Sequence, residues 1–85
     1  MSFTVIVYSP RRAVSTEEVD TIEAAREIAR VAVNDRMEAF SDDREALERY
    51  GFIDAEDRAL ALSEEGGVIF LQDGWKVEVI NNDHE

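Results

Sequence analysis

The sequence predicts a small α+β domain: a three-stranded antiparallel sheet carrying one long helix and two short ones, in the order β-α-α-α-β-β. Three stretches carry that expectation. Residues 2–9, SFTVIVYS, alternate at the period of a strand. Residues 15–33 place apolar side chains at helical spacing behind a helix-start signal. Residues 66–81, GGVIFLQDGWKVEVIN, read as two strands joined at Asp73-Gly74.

The first strand sets Phe3, Val5 and Val7 against Thr4, Ile6 and Tyr8, and β-branched and aromatic side chains dominate it. Pro10 ends it, and Arg11 to Ala13 are expected as a loop. Ser15 is the expected N-cap of the long helix, with Glu18 three residues on as its capping-box partner and Val14 and Val19 as a hydrophobic staple. Val19, Ile22, Ala25, Ala29, Ala32 and Val33 follow helical spacing, and Ala24, Ile28 and Val31 widen the stripe. Glu23, Arg26, Glu27 and Arg30 line the polar side. The helix ends at Asn34-Asp35 or runs on towards Phe40.

A short second helix is expected after Ser41 or Asp42, ending at Gly51 in the left-handed conformation that glycine adopts without penalty. Leu47 and Phe52 would then touch across that terminus. A third segment, residues 54–65, reads as a helix capped by Asp54 and stopped by Gly66, although Leu60 and Leu62 also alternate as in a strand. In the closing hairpin, Asp73-Gly74 signals a two-residue turn. That turn pairs Phe70 with Val77 and puts Val68, Phe70, Trp75, Val77 and Val79 on one face, the core face. Ile69, Leu71, Lys76, Glu78 and Ile80 fall on the other. The expected core is Phe3, Val5, Val7, Ile22, Ala29, Phe70, Trp75 and Val77. One compact domain is expected over residues 1–80, with residues 81–85, NNDHE, as a disordered tail.

Eighty-five residues suffice for one core with a thin margin, since a chain this short buries only about 60% of its unfolded surface. There is no cysteine, which fits a reducing, cytoplasmic setting. No apolar run approaches the roughly 18 residues of a membrane span, and the run Phe3–Tyr8 lacks the marks of a signal peptide. Twenty acidic residues face nine basic ones, a net charge of -11. Such a chain is repelled by nucleic acid and by anionic membranes, so neither is an expected partner, and it is drawn to basic surfaces.

Chemistry finds little support. Asp54, Glu56 and Glu65 fall at positions 1, 3 and 12 of a calcium loop, but Arg58 and Ala59 occupy positions where that loop needs a ligand and a glycine. His84 lies between Asp83 and Glu85 in the tail, away from any nucleophile. Ser15 and Ser41 read as helix caps, and Ser63 has no base nearby. Gly66-Gly67 lacks the helix and lysine of a phosphate loop. The expectation is therefore no catalytic residue, no metal and no cofactor.

Two features point to partners. The acidic stretch holds Asp42, Asp43, Glu45, Glu48, Asp54, Glu56, Asp57, Glu64 and Glu65 against three arginines, Arg44, Arg49 and Arg58. The second sheet face is expected to gather Ile6, Tyr8, Ile69, Leu71 and Ile80, unless a short helix covers it. The leading expectation is a non-catalytic acidic module that binds a basic protein, in one form a phage-type inhibitor that mimics nucleic acid as anti-CRISPR proteins do. The second is a small regulatory or housekeeping domain, acidic because its organism is halophilic or GC-rich, working as a homodimer.

Overall fold

The computed structural model describes residues 1–83, so His84 and Glu85 of the expected tail lie outside the described residues. Strands β1 (Phe3–Tyr8) and β2 (Ala13–Val19) come first. Helices α1 (Ile22–Phe40), α2 (Arg44–Arg49) and α3 (Phe52–Leu60) follow, then strands β3 (Gly66–Phe70) and β4 (Lys76–Asn81). The sheet is four-stranded, β2-β1-β4-β3, with every neighbouring pair antiparallel. This corrects the expected three-stranded sheet and its β-α-α-α-β-β order; the observed order is β-β-α-α-α-β-β. The extra strand is β2, added at the free edge of β1.

β2 is the stretch expected as a loop and a helix start. Ser15 and Glu18 do not cap a helix; they sit in a strand, opposite Val7 and Thr4. Helix α1 begins six residues later, where the Thr21 hydroxyl accepts a hydrogen bond from the Ala24 amide at 3.1 Å. What makes β2 a strand is the turn before it. The Ser9 amide donates to the Arg12 carbonyl at 2.8 Å, and the Ser9 hydroxyl accepts from the Arg11 and Arg12 amides. Pro10 presets the turn's backbone, and the chain returns alongside β1. Ala13 through Glu18 are all exposed, so β2 is held by backbone pairing rather than burial.

The closing hairpin departs from expectation by one residue. Its loop holds three residues, Gln72-Asp73-Gly74, and not two. The Leu71 amide donates to the Trp75 carbonyl, the Gly74 amide donates to the Leu71 carbonyl, and Gly74 has φ +89°. A type I turn followed by a left-handed residue is the usual three-residue hairpin loop. Asp73 braces it by accepting from the Trp75 amide. Ile69 therefore pairs with Val77 and Phe70 with Lys76. A shift of one residue turns every side chain of a strand to the other face. β4 keeps its expected orientation, with Val77 and Val79 buried, but β3 is inverted: Ile69 and Leu71 are buried, and Val68 and Phe70 face water.

Helices α1 and α3 cover one face of the sheet, and α2 packs against α3. α1 buries Ile22, Ala25, Ala29, Val33 and Met37, a run of i,i+3 and i,i+4 positions. Its small alanines bring it close to Phe3, Val5 and Val7 of β1 and to Val77 and Val79 of β4, all in the same buried cluster. α2 is capped by Asp43, whose carboxylate accepts from the Glu45 amide. It ends at Gly51, φ +81°, as expected, and Gly51 leads directly into α3. Asp54 is thus not a cap: it stands in the first turn of α3, paired with Arg58 at 2.9 Å. Residues 54–60 are helical, which settles the helix-or-strand ambiguity, and residues 61–65 form the loop into β3. Phe52, Ala55 and Ala59 face the core, and Phe40 stacks on Phe52 with ring centroids 4.7 Å apart.

Of the expected core, Phe3, Val5, Val7, Ile22, Ala29 and Val77 are buried. Phe70 is not, and Trp75 is half-buried at the core's margin under the Arg36 guanidinium, 4.1 Å from its ring centroid. Arg36 is held there by Asp73 at 2.9 Å. Residues 81 to 83, placed in the tail by the sequence, are hydrogen-bonded to the start of the chain. Asn81 pairs with Phe3 in the sheet, Asn82 bonds Ser2 and Thr4, and Asp83 accepts from the Ser2 amide. No helix among the described residues is long and apolar enough to cross a membrane.

Candidate interaction surface

With the helices on one side, the other face of the sheet is open. Cross-strand pairing shows what it carries. Ile6 lies opposite Thr16 and Glu78, Tyr8 opposite Lys76, Thr4 opposite Ile80, Val68 opposite Glu78, and Phe70 opposite Lys76. Ile80, Val68 and Phe70 are 39%, 41% and 70% exposed. Of the five residues expected here, Ile6, Tyr8 and Ile80 are present. Ile69 and Leu71 are instead in the core at 2% and 7% exposure, moved there by the hairpin register. Val68 and Phe70 take their place. No helix among the described residues covers the face. The sequence signal that would have found Phe70 is the three-residue reading of Gln72-Asp73-Gly74.

One polar cluster crosses this apolar patch. The Tyr8 hydroxyl donates to the Glu78 carboxylate at 3.2 Å, and the Lys76 ammonium stands 4.7 Å from the centre of the Tyr8 ring. Desolvation, the bond to Glu78 and that carboxylate's charge raise the Tyr8 pKa above the ordinary phenol value of 10.0. The folded state therefore holds this proton more tightly than the unfolded one. The stability it contributes is full below pH about 10 and is lost as pH rises through the raised value. Glu78→Gln should lower the pH at which the Tyr8 phenolate appears in near-ultraviolet absorbance, with Tyr8→Phe identifying the signal. An unchanged titration would show that Tyr8 and Glu78 are not in contact.

The nine acids of the sequence-predicted stretch lie elsewhere. Asp42 and Asp43 lead into α2, Glu45 and Glu48 sit on it, and Asp54, Glu56 and Asp57 sit on α3, all in the helical layer. Glu64 and Glu65 lie in the loop entering β3, where the Glu64 carbonyl accepts from the Asn81 side chain. Eight of the nine are exposed and Glu56 is half-buried. The two sets singled out from sequence thus do not form one site: seven of the acids lie on or at the start of α2 and α3, and Ile6, Tyr8 and Ile80 lie on the open face of the sheet. Among the described residues, no group of three or more His, Cys, Asp or Glu side chains is placed to hold a metal ion.

No family model, curated protein or solved structure matches the chain.

Proposed function

We propose that the chain is a non-catalytic acidic protein-binding module that meets its partner through the open face of the sheet. The observation that supports this reading is Phe70, 70% exposed, with exposed Val68 beside it on β3, while Ile6 and Tyr8 share the same open face beyond Lys76 and Glu78. Two large apolar side chains left exposed side by side on an uncovered sheet face, with Ile80 also exposed on it, are the kind of surface that marks an interface. Fully burying one such side chain against a partner is worth roughly 1.5–3 kcal/mol. The net charge of -11 favours a partner with a basic surface, by steering its approach. A second reading rests on the helical side. There the exposed acids of α2 and α3 follow one another along the chain and would stand in for phosphates, as in a phage-type inhibitor of a nucleic-acid-binding protein.

Affinity capture with two altered baits tests the first reading and separates it from the second. Val68→Ser with Phe70→Ser removes the apolar patch. Changing Asp42, Glu48 and Asp57, exposed acids with no ion-pair partner among the described residues, to Lys reverses the charge of the helical side. Both sets lie outside the core, so both baits should stay folded. The expected result is a partner retained by the wild type, lost with the serine bait and retained by the lysine bait. Loss with the lysine bait alone, together with competition by nucleic acid, favours mimicry and overturns the first reading. Sedimentation of the purified chain shows separately whether the partner is a second copy.

A further inference from the structure

We propose that the free edge of β2, with the groove beside it, forms a docking site distinct from the open face, which takes an extended basic segment of a protein partner as a fifth strand. This does not rest on the reading of the open face. β2 is the outermost strand and pairs with β1 alone, so its second row of backbone N–H and C=O groups is unpaired. Such an edge is a template for another strand.

Beside it, between β2 and α1, runs a groove of about 390 Å³. It exists because β2 reaches past the helical layer. Ser15 and Glu17 lie on the helix side of the sheet, opposite Val7 and Val5, yet they are exposed. Val14 and Val31 form the apolar walls with Trp75, and Glu17, Asp35 and Arg36 bring the charge. Val14 sits at a bulge, since Val7 pairs with Ser15 and Tyr8 with Ala13. Alternate side chains of an added strand point to the helix side, as Ser15 and Glu17 do, and so enter this groove.

Charge decides the occupant. Arg36 is engaged by Asp73 and lies on the Trp75 ring. Glu17 and Asp35 in the groove, and Glu18 on the opposite face of the strand, have no ion-pair partner among the described residues. A second copy pairing antiparallel here would bring a second Glu17-Glu18 pair to the same edge of a chain whose net charge is -11, which is unfavourable. A strand alternating apolar with basic residues fits this edge: backbone bonds to β2, apolar side chains in the groove against Val14, Val31 and Trp75, and basic ones on the opposite face beside Glu18, with Glu17 and Asp35 attracting the cationic segment at longer range.

The hexapeptide acetyl-Lys-Val-Lys-Val-Lys-Val-amide is the probe, titrated into the isotope-labelled full chain and followed by amide chemical shifts. The expected result is saturable binding with shifts along β2 and around Val31, Arg36 and Trp75. Val31→Ser and Glu18→Lys, at exposed positions that leave the fold intact, should each weaken it about tenfold. The same peptide N-methylated at alternate amides should bind at least tenfold more weakly, because it keeps the side chains but cannot pair. Equal binding of the N-methylated peptide, or of hexylamine alone at the same residues, overturns the proposal in favour of a small amphipathic cation. Shifts confined to the open face, or no saturable binding, overturn it outright.

Discussion

Truncating Ile69 to Ala should lower the unfolding free energy by about 2–5 kcal/mol, while truncating its larger neighbour Phe70 should change it by less than about 0.5 kcal/mol. Size and hydrophobicity alone would reverse that order, as would a two-residue turn at Asp73-Gly74. The structure inverts it because Ile69 lies opposite Val77 on the helix side, 2% exposed, and Phe70 points into water. Removing Ile69 leaves a cavity among packed side chains. Removing Phe70 takes an apolar group out of solvent and leaves no cavity. Urea denaturation of the two variants decides the matter, read from the midpoint at constant slope. A larger loss for Phe70→Ala than for Ile69→Ala would mean that the hairpin has the two-residue register. The same geometry implies that Ile69→Lys with Leu71→Glu, a natural choice for emptying the open face, would instead bury two charges and unfold the chain.

Gly66→Ala should be similarly damaging, on the order of 3 kcal/mol, and Gly51→Ala should cost only about 1 kcal/mol. Both glycines have positive φ, +85° and +81°. A Cβ at either meets the same intrinsic penalty of the left-handed region. At Gly51 nothing else lies within 4 Å. At Gly66 the added carbon would meet the backbone carbonyl oxygen of Val79, with the carbonyl carbon at 3.1 Å. Backbone atoms in the middle of a strand cannot swing aside as a side-chain tip does. β3 would have to lift away from β4 where it starts, at the pairing of Gly66 with Ile80. Thermal unfolding of both variants checks this, and equal losses would show that β3 does not approach β4 so closely.

What the sequence revealed and what it hid follow from where each signal comes from. β1 was legible because one side of it is buried, so Phe3, Val5 and Val7 stand out against Thr4 and the polar flanks. The buried stripe of α1 was legible for the same reason, and Gly51 announced its own conformation. β2 was hidden because it buries nothing: an exposed edge strand shows no hydrophobic period, and its Ser-x-x-Glu matched a helix cap that Thr21 in fact supplies. The face of β3 was hidden because strand side chains alternate, so counting two or three residues in one loop decides everything beyond it. The same step divides the expected apolar site. Ile6, Tyr8 and Ile80 stood on strands whose orientation was secure, and Ile69 and Leu71 did not. The exposure of the acids needed no register, since a dense run of charge has nowhere to go but water.

The sheet's order also sets when the molecule can fold. Its two middle strands come from opposite ends of the chain: Tyr8 and Glu78, hydrogen-bonded across β1 and β4, are 70 positions apart. The β1–β2 and β3–β4 hairpins can each form locally, but neither has a complete core face without the other. On a ribosome, the first hairpin emerges early and must wait, its valines uncovered, until β4 has left the exit tunnel. Helix α1 can form in the interval and shield part of that face. Assembly then turns on one late, long-range docking of β4, with β3 beside it, onto the free edge of β1. Closing so long a loop carries an entropic cost that local contacts do not, so refolding should be slower than in a helical bundle of this size. Any nascent chain stalled before Lys76 would present an unpaired β1 edge to its neighbours, which is where a chaperone would be needed.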